Sequence, residues 1–531
     1  MRENRDYPLY EIASRIDNIS DMIEKKASEI PDRIAFYYRK GKEEIKSKTY
    51  SEVFQEVKKA SLYVKNHYGI GKHIAIIGEN SYEWIIAFLA TVTSGNVAVP
   101  IDKELPANEI EWLIDKADVE VAFVSKTYSE LVEGITNLKT MTLKKLGEEA
   151  EKVEMNESYQ LVHSKKEDLC MIIFTSGTSG KSKGVMLSHG NVASEIYETS
   201  KMFNPEGNST LAVLPFHHAF GINVAVLMAY DYGVSIFINK SLKRVKEDML
   251  LAKPDVIMLV PMFIEVFYKQ IMSNIEKSGK TNKVKNAIRL TNLLMKVGID
   301  VRRKVFKEIH DVFGGNLKYI ISGGAHLDEF YVKEFRNFGI EIMNGYGTSE
   351  CSPCVAINRN YFFKDGSVGQ IIPKTQGRIS SDGEVQFKGS VNMMGYYKDE
   401  KATKEVLKDG WYSTGDLGYI DKEGFLFLTG RKKNLIILSN GENISPEELE
   451  NDFHRDSAVS EVLVYEQNHA IVAEIFPTEE YMGNDEYFNK LMAKVNEGRP
   501  VYKQISKVKL RDTEFIKNTS KKIVRYKNIP Q

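Results

Sequence analysis

The chain has 531 residues, 42 % hydrophobic and 27 % charged, enough apolar content for several structural units with buried cores and far from the composition of a disordered chain. Lys and Arg total 72 against 73 Asp and Glu, a net charge of −1. No global field therefore gathers nucleic acid or an anionic membrane, and any polyanion must be met at a local site. Three cysteines exclude a disulfide framework.

The opening residues 1–17 contain no apolar core of a targeting segment, and the most hydrophobic stretch, 84–99, is broken by Thr91, Thr93, Ser94, Gly95 and Asn96. The expectation is a cytoplasmic protein without a membrane span. Residues 50–64 carry apolar positions at helical spacing, 73–77 read as a strand, 82–89 as a helix, 97–99 as extended and 119–124 as another strand. Further strands are expected at 171–175, 210–214, 234–238, 256–259 and 319–321, each with helical sequence nearby. This alternation predicts an α/β protein with parallel-rich sheets, whose ligands bind where strands end in Gly, Ser, Pro or His.

From Gly366 the texture changes to short β segments between Gly and Asp turns, SVGQIIP, GEVQFKG and GWYSTGDLGYIDKEGFLFLTG, which predicts a small β-subdomain. A polar run from Arg431 to Asn434 leads to a strand, an NGEN turn and a helix with Ser445 at its N-cap and Pro446 at its first position. A second domain is expected to start there, and its last thirty residues are basic.

The densest chemical signal is MIIFTSGTSGKSKGVMLSHGN, residues 171–191. An apolar strand runs into Thr175, Ser176, Gly177, Thr178, Ser179 and Gly180, followed by Lys181 and Lys183. Glycines admit phosphate oxygens to the backbone, hydroxyls and amides donate to them, and lysine offsets their charge. The loop is not a Walker A loop, because Thr175 stands where that motif requires glycine. Cys351 and Cys354 form a CxxC, yet no second Cys or Cys/His pair accompanies them as a zinc site would need, and the segment lacks the setting of a thioredoxin-like motif.

With this loop and LPFHHAFG (214–221), SGGAHL (322–327), NGYGTSEC (344–351), STGD (413–416), GRKKN (430–434) and NGENISPEELE (440–450) in order, the chain resembles the AMP-forming adenylate-forming enzymes: acyl-CoA synthetases, peptide synthetase adenylation domains and luciferase. The resemblance implies an adenylation domain over 1–430, a hinge at 431–434 and a small mobile α+β domain over 435–531. It implies that Asn344, Gly345, Tyr346 and Gly347 seat adenine, with Gly324 and Ala325 on the other side of the base. Asp416 would accept from the ribose hydroxyls, and Arg431 would lie beside ribose and phosphate. Glu350, with Thr175, would ligate Mg²⁺, and Ser349, where the family usually has Thr, would meet the α-phosphate. The hinge falls on Lys433, and Gly441 would line a thiol tunnel. The family's terminal Pro-Lys-Thr-x-x-Gly-Lys-Ile corresponds to residues 516–523, with departures at Ile516, Asn518 and Lys521; Lys522 is the catalytic lysine by this alignment and Lys521 its rival.

The implied reaction is ATP-dependent acyl-AMP formation followed by thiol attack. His218 would stand beside the substrate carboxylate, and no Asp occurs in LPFHHAF to pair with an amino acid's ammonium. The motifs are most similar to bacterial medium-to-long-chain fatty acid CoA ligases. Two alternatives remain at this stage: a stand-alone enzyme loading the phosphopantetheine of an acyl carrier protein, and a nucleotide-binding regulatory protein without turnover.

Overall fold

A computed structural model describes residues 9–13, 15–41, 44–155, 159–175, 182–437, 442–517 and 522–530. Ser176, Gly177, Thr178, Ser179, Gly180, Lys181, Gly441 and Lys521 lie outside the described residues. The fold is mixed α/β and divides into two compact units. The first comprises Met1–Gly377, Phe387–Tyr412 and Lys422–Phe425, and the second Arg378–Gln386, Ser413–Asp421 and Leu426–Gln531.

The first unit is built on two sheets. In one, strands Glu341–Tyr346, Tyr319–Ser322, Val256–Leu259, Ser209–Ala212, Ser235–Ile238 and Ile34–Lys40 lie side by side and parallel, with antiparallel strands at both edges. In the other, Leu169–Thr175, Val97–Ile101, His73–Ile77, Val119–Val124 and Lys139–Thr142 run parallel, and Lys183–Ser188 folds back antiparallel on Leu169–Thr175. These central strands read as continuous Val and Ile runs because both faces are covered.

The hydrophobic stretch at 84–99 proves to be a core helix and a core strand. In helix Tyr82–Thr93 only Glu83 is not buried, and all of Val97–Ile101 is buried. Ser81 caps that helix by accepting from the Trp84 amide. Trp84 stacks on Phe88 at 5.7 Å and meets Phe216 at 5.5 Å, anchoring the LPFHHAFG segment to the core; truncating such an aromatic typically costs about 3–5 kcal/mol. Among the described residues no helix is long and apolar enough to cross a membrane.

In the second unit a hairpin pairs Asp416 with Arg431 and continues to Ile420 and Leu426. Strands Val459–Gln467, Ala470–Pro477 and Lys507–Leu510 form a separate sheet. Helices Pro446–His454 and Asp485–Asn496 cover it through Leu449, Phe453, Phe488 and Leu491. Pro446 opens its helix as expected, but Ser445 makes no side-chain cap. Its hydroxyl donates to Glu447 Oε2 at 2.7 Å, a charge-assisted bond.

Candidate functional site

In the first unit the carboxyl ends of two neighbouring parallel strands stand side by side, with Ser322 paired in register with Asn344. Both side chains are buried, and neither Ser322 Oγ nor Asn344 Oδ1 has a hydrogen-bond partner among the described residues. Leaving a buried acceptor unpaired costs about 1–3 kcal/mol, so Asn344 Oδ1 has capacity for a donor. Gly324 follows at φ +81°, outside the range comfortable for a side chain, and Gly324 and Ala325 are exposed. The Tyr346 ring lies 6.1 Å from Phe387. A Cβ on Gly347 would sit 1.5 Å from the Pro353 carbonyl oxygen, whereas one on Gly345 would meet nothing nearer than 3.5 Å. Gly347 is fixed by packing; Gly345 is not.

Thr175 ends its strand opposite Lys183. Gly395 and Tyr396 pair with the same returning strand, which brings the Tyr396 ring 4.8 Å beneath the Lys183 ammonium. The Tyr396 hydroxyl donates to Glu350 Oε1 at 2.9 Å, and Glu350 is further held by its carbonyl, which accepts from the Met393 amide at 2.7 Å. Burial and then the Glu350 charge raise the Tyr396 pKa, keeping the phenol a donor. Thr175, Lys183, Tyr396 and Glu350 thus form one connected group, with Ser349 preceding Glu350 in the same 3₁₀ turn. Tyr396 escaped the sequence reasoning, because only the antiparallel return of a two-residue strand brings it there.

Asn80 holds the LPFHHAFG segment by donating to the Leu214 carbonyl at 2.8 Å and accepting from the Phe216 amide at 3.1 Å. A Cβ at Gly221 would stand 1.9 Å from the Pro215 oxygen, so the tight turn requires glycine. The His217 and His218 rings lie 4.3 Å apart, and His217 Nε2 is 3.4 Å from Asp102 Oδ2. The following segment, Phe220–Met228, is π-helical, a geometry frequent at functional sites. Its buried Asn223 donates to the Ser352 carbonyl at 2.8 Å, joining this segment to the one bearing Glu350. Neither Asn80 nor Asn223 carried a local sequence signal. Cys351 is buried, Cys354 partly so, and both are free thiols whose pKa burial pushes up, which suits neither redox nor metal chemistry.

In the second unit Arg431 Nε donates to Asp416 Oδ1 at 2.8 Å. The Asp416 side chain is 7 % exposed and that of Arg431 47 %. The strand residues before Asp416 are tied down: Thr414 donates to the Val385 carbonyl at 2.8 Å, the Gly415 amide to Glu384 Oε1 at 2.8 Å, and the Asp416 amide to Thr414 Oγ1 at 3.0 Å. Lys432 pairs with Asp382 at 2.5 Å, and Lys433 follows in the same 3₁₀ turn. Lys522 feels both members of the Asp416–Arg431 pair. Desolvation and then the Arg431 guanidinium lower its pKa, while the Asp416 carboxylate raises it. Because Lys522 is exposed by accessible area, solvent screening leaves the direction and reduces the size of that shift.

Comparison with protein families matches residues 23–397 to the AMP-binding enzymes. The long-chain-fatty-acid–CoA ligase FadD15 of Mycobacterium tuberculosis is 28 % identical over 481 residues, covering 84 % of this chain and 80 % of the relative. Long chain acyl-CoA synthetase 4 of Arabidopsis thaliana is 30 % identical over 476 residues, covering 78 % and 71 %. Two solved structures share the fold. One is the o-succinylbenzoate CoA synthetase of Bacillus subtilis in complex with its acyl-adenylate intermediate, with TM-score 0.76, 22 % identity and coverage of 95 % and 97 %. The other is the anthranilate CoA ligase AuaEII in complex with anthranoyl-AMP, with TM-score 0.80, 19 % identity and coverage of 99 % and 98 %. With more than two thirds of its length matched, this chain belongs to the family of AMP-binding enzymes.

Proposed function

We propose that the protein is an AMP-forming acid–thiol ligase that activates a medium- or long-chain fatty acid and transfers it to CoA. In the first step a carboxylate oxygen attacks the α-phosphorus of ATP, giving acyl-AMP and pyrophosphate. In the second the CoA sulfur attacks the acyl carbon, giving the thioester, AMP and a proton. The observation that carries the nucleotide reading is the buried Asn344 Oδ1, without a partner among the described residues, beside Ser322 at the carboxyl ends of parallel strands. It is an acceptor suited to an exocyclic amine such as adenine's, at the place where open α/β sheets bind ligands.

The remaining roles follow residue chemistry. Tyr346 offers a ring face to the base, and the small Gly324 and Ala325 leave room on its other side. Asp416, oriented by Arg431, presents a carboxylate to a ribose diol. Glu350, aligned by Tyr396, would hold Mg²⁺, which when bound offsets phosphate charge. The described residues contain no group of three or more His, Cys, Asp or Glu placed to hold a metal. That fits an ion whose other ligands are phosphate oxygens and water. Lys183 and Lys522 supply further positive charge, and Lys433 is the pivot that exchanges Lys522 for a second face in the thiol step. The domain limits proposed from the motifs remain 1–430 and 435–531 around that hinge.

The acid is assigned from the curated relatives and from the lack of Asp in LPFHHAF. Pyrophosphate release across a panel of carboxylic acids, with CoA or a phosphopantetheinylated carrier protein as acceptor and thioester read by mass spectrometry, tests each part. Acyl-CoA from fatty acids is expected. Thioester on the carrier alone would transfer the assignment to a loading enzyme, and no acid-dependent pyrophosphate release would remove the ligase reading.

A further inference from the structure

Helix Thr281–Lys296 in the first unit turns one face inward, where Val284, Ala287 and Ile288 pack on the core and Thr291 is buried. Its outer face is not the charged surface a solvated helix usually presents. Leu290, Leu293 and Val297 are 58 %, 61 % and 70 % exposed. Their spacing places them on one line along the helix, and Ile299, also exposed, continues the apolar surface beyond its end.

Cations surround that line. From residue 281 through 299 the sequence contains Lys283, Lys285, Arg289 and Lys296 and no Asp or Glu. At the helical repeat Lys285, Arg289 and Lys296 fall on one side of the stripe and Lys283 on the other. All four are exposed, and none forms an ion pair with a described residue. In a chain whose net charge is −1, this is a local concentration of one sign.

We propose that this face of helix Thr281–Lys296 adsorbs to an anionic lipid surface, the Leu290–Leu293–Val297 stripe entering the headgroup–acyl boundary while Lys283, Lys285, Arg289 and Lys296 meet lipid phosphates. Charge complementarity and an apolar line bordered by cations are the features of a helix lying in the interfacial plane. The charged groups of this face are of one sign, and the exposed Asn282, Asn286 and Asn292 among them are neutral. The adsorption is reversible and peripheral, and it does not rest on which acid the enzyme activates. Its use would be to bring the protein to a phase where apolar acids concentrate.

Flotation of the full chain with phosphatidylglycerol vesicles and with phosphatidylcholine vesicles tests this. Binding to phosphatidylglycerol is expected to be at least tenfold stronger at low salt and to fall as salt rises. The Leu290→Gln/Leu293→Gln/Val297→Gln variant, and separately the Lys283→Gln/Lys285→Gln/Arg289→Gln/Lys296→Gln variant, should each lose about tenfold in vesicle binding. Unchanged melting and unchanged pyrophosphate release with a short, water-soluble acid would accompany that loss. If one variant melts lower, the other decides. Absent binding of the parent chain, or binding by both variants equal to that of the parent, overturns the proposal. So does a concentration-dependent dimer lost in the stripe variant without vesicle binding, which would make the stripe a contact between copies. Vesicle binding is read without catalysis, so its failure is separable from failure of the ligase reading.

Discussion

Asp416 and Arg431 face each other across the antiparallel hairpin, with the guanidinium Nε 2.8 Å from a carboxylate oxygen that is almost wholly buried. The pair fixes how that carboxylate points and leaves the arginine half in solvent. If Asp416 accepts from the ribose hydroxyls, Asp416→Ala should raise KM for ATP by about 10–100-fold, the scale of one charged hydrogen bond. 2′-Deoxy-ATP should lose much of its disadvantage in that variant. Equal discrimination against the deoxy nucleotide by both proteins would remove Asp416 from the ribose.

If Lys522 acts only in the adenylation step, its removal should separate the two half-reactions. Lys522→Ala should reduce acyl-AMP formation by roughly 10²–10³, as for loss of one preorganised charge contact. Thioester formation from supplied acyl-AMP should be largely spared. A larger loss in Lys521→Ala would move the catalytic role by one residue.

Tyr396 aligns Glu350 through a single phenolic hydrogen bond. Tyr396→Phe keeps the ring under Lys183 and deletes only the donor, so kcat/KM should fall about 5–15-fold, with half-maximal activity at higher Mg²⁺. Pyrophosphate release titrated with Mg²⁺ measures this. A rate loss with an unchanged Mg²⁺ midpoint would make the bond structural.

The parallel strands, the helix starting at Tyr82 and the motif order were legible in the sequence because hydrophobic period and Gly-rich strand ends are local signals. Asn344, Asp416 and Arg431 were named by the motifs they stand in; Asn344 and Asp416 lie within their strands and Arg431 ends its own. What could not be read is what long-range pairing creates. Tyr396 reaches Glu350 through a two-residue strand, Asn80 clamps Leu214 and Phe216 from a distant loop, and Asn223 ties a π-helical segment to Ser352. At Ser445 the expected side-chain cap is not formed, and the hydroxyl donates to Glu447.

Buried Glu195 gives a prediction for stability. Its carboxyl is fully buried, accepts weakly from Thr199 at 3.5 Å, and has an oxygen with no partner among the described residues. Burial raises its pKa well above the ordinary 4.5, so the native state keeps a proton that the unfolded chain releases. The group's contribution is fully present below the unfolded value and is lost as pH rises toward the folded value. Glu195→Gln should therefore melt like the parent near pH 4 and higher at pH 8, by about 1 °C for each kcal/mol of penalty removed. A variant that melts lower at pH 8 would show the carboxylate ionised and satisfied in the native protein.

The acid pocket is tested by chain length. An apolar site without a partner for an ammonium should prefer fatty acids to amino acids, because each buried methylene contributes about 0.8 kcal/mol while an unpaired buried cation is penalised by desolvation. Pyrophosphate release should thus rise by roughly three- to fourfold in kcat/KM per added methylene, then break where the chain fills the site. The break reports pocket depth. Because Asn223 Oδ1 is buried without a partner among the described residues, Asn223→Leu, which removes that atom together with the donor to Ser352, should move the break or its steepness if the π-helical segment lines the chain. An amino acid or aryl acid that exceeds every fatty acid in kcat/KM would overturn the substrate assignment and leave the adenylation chemistry standing.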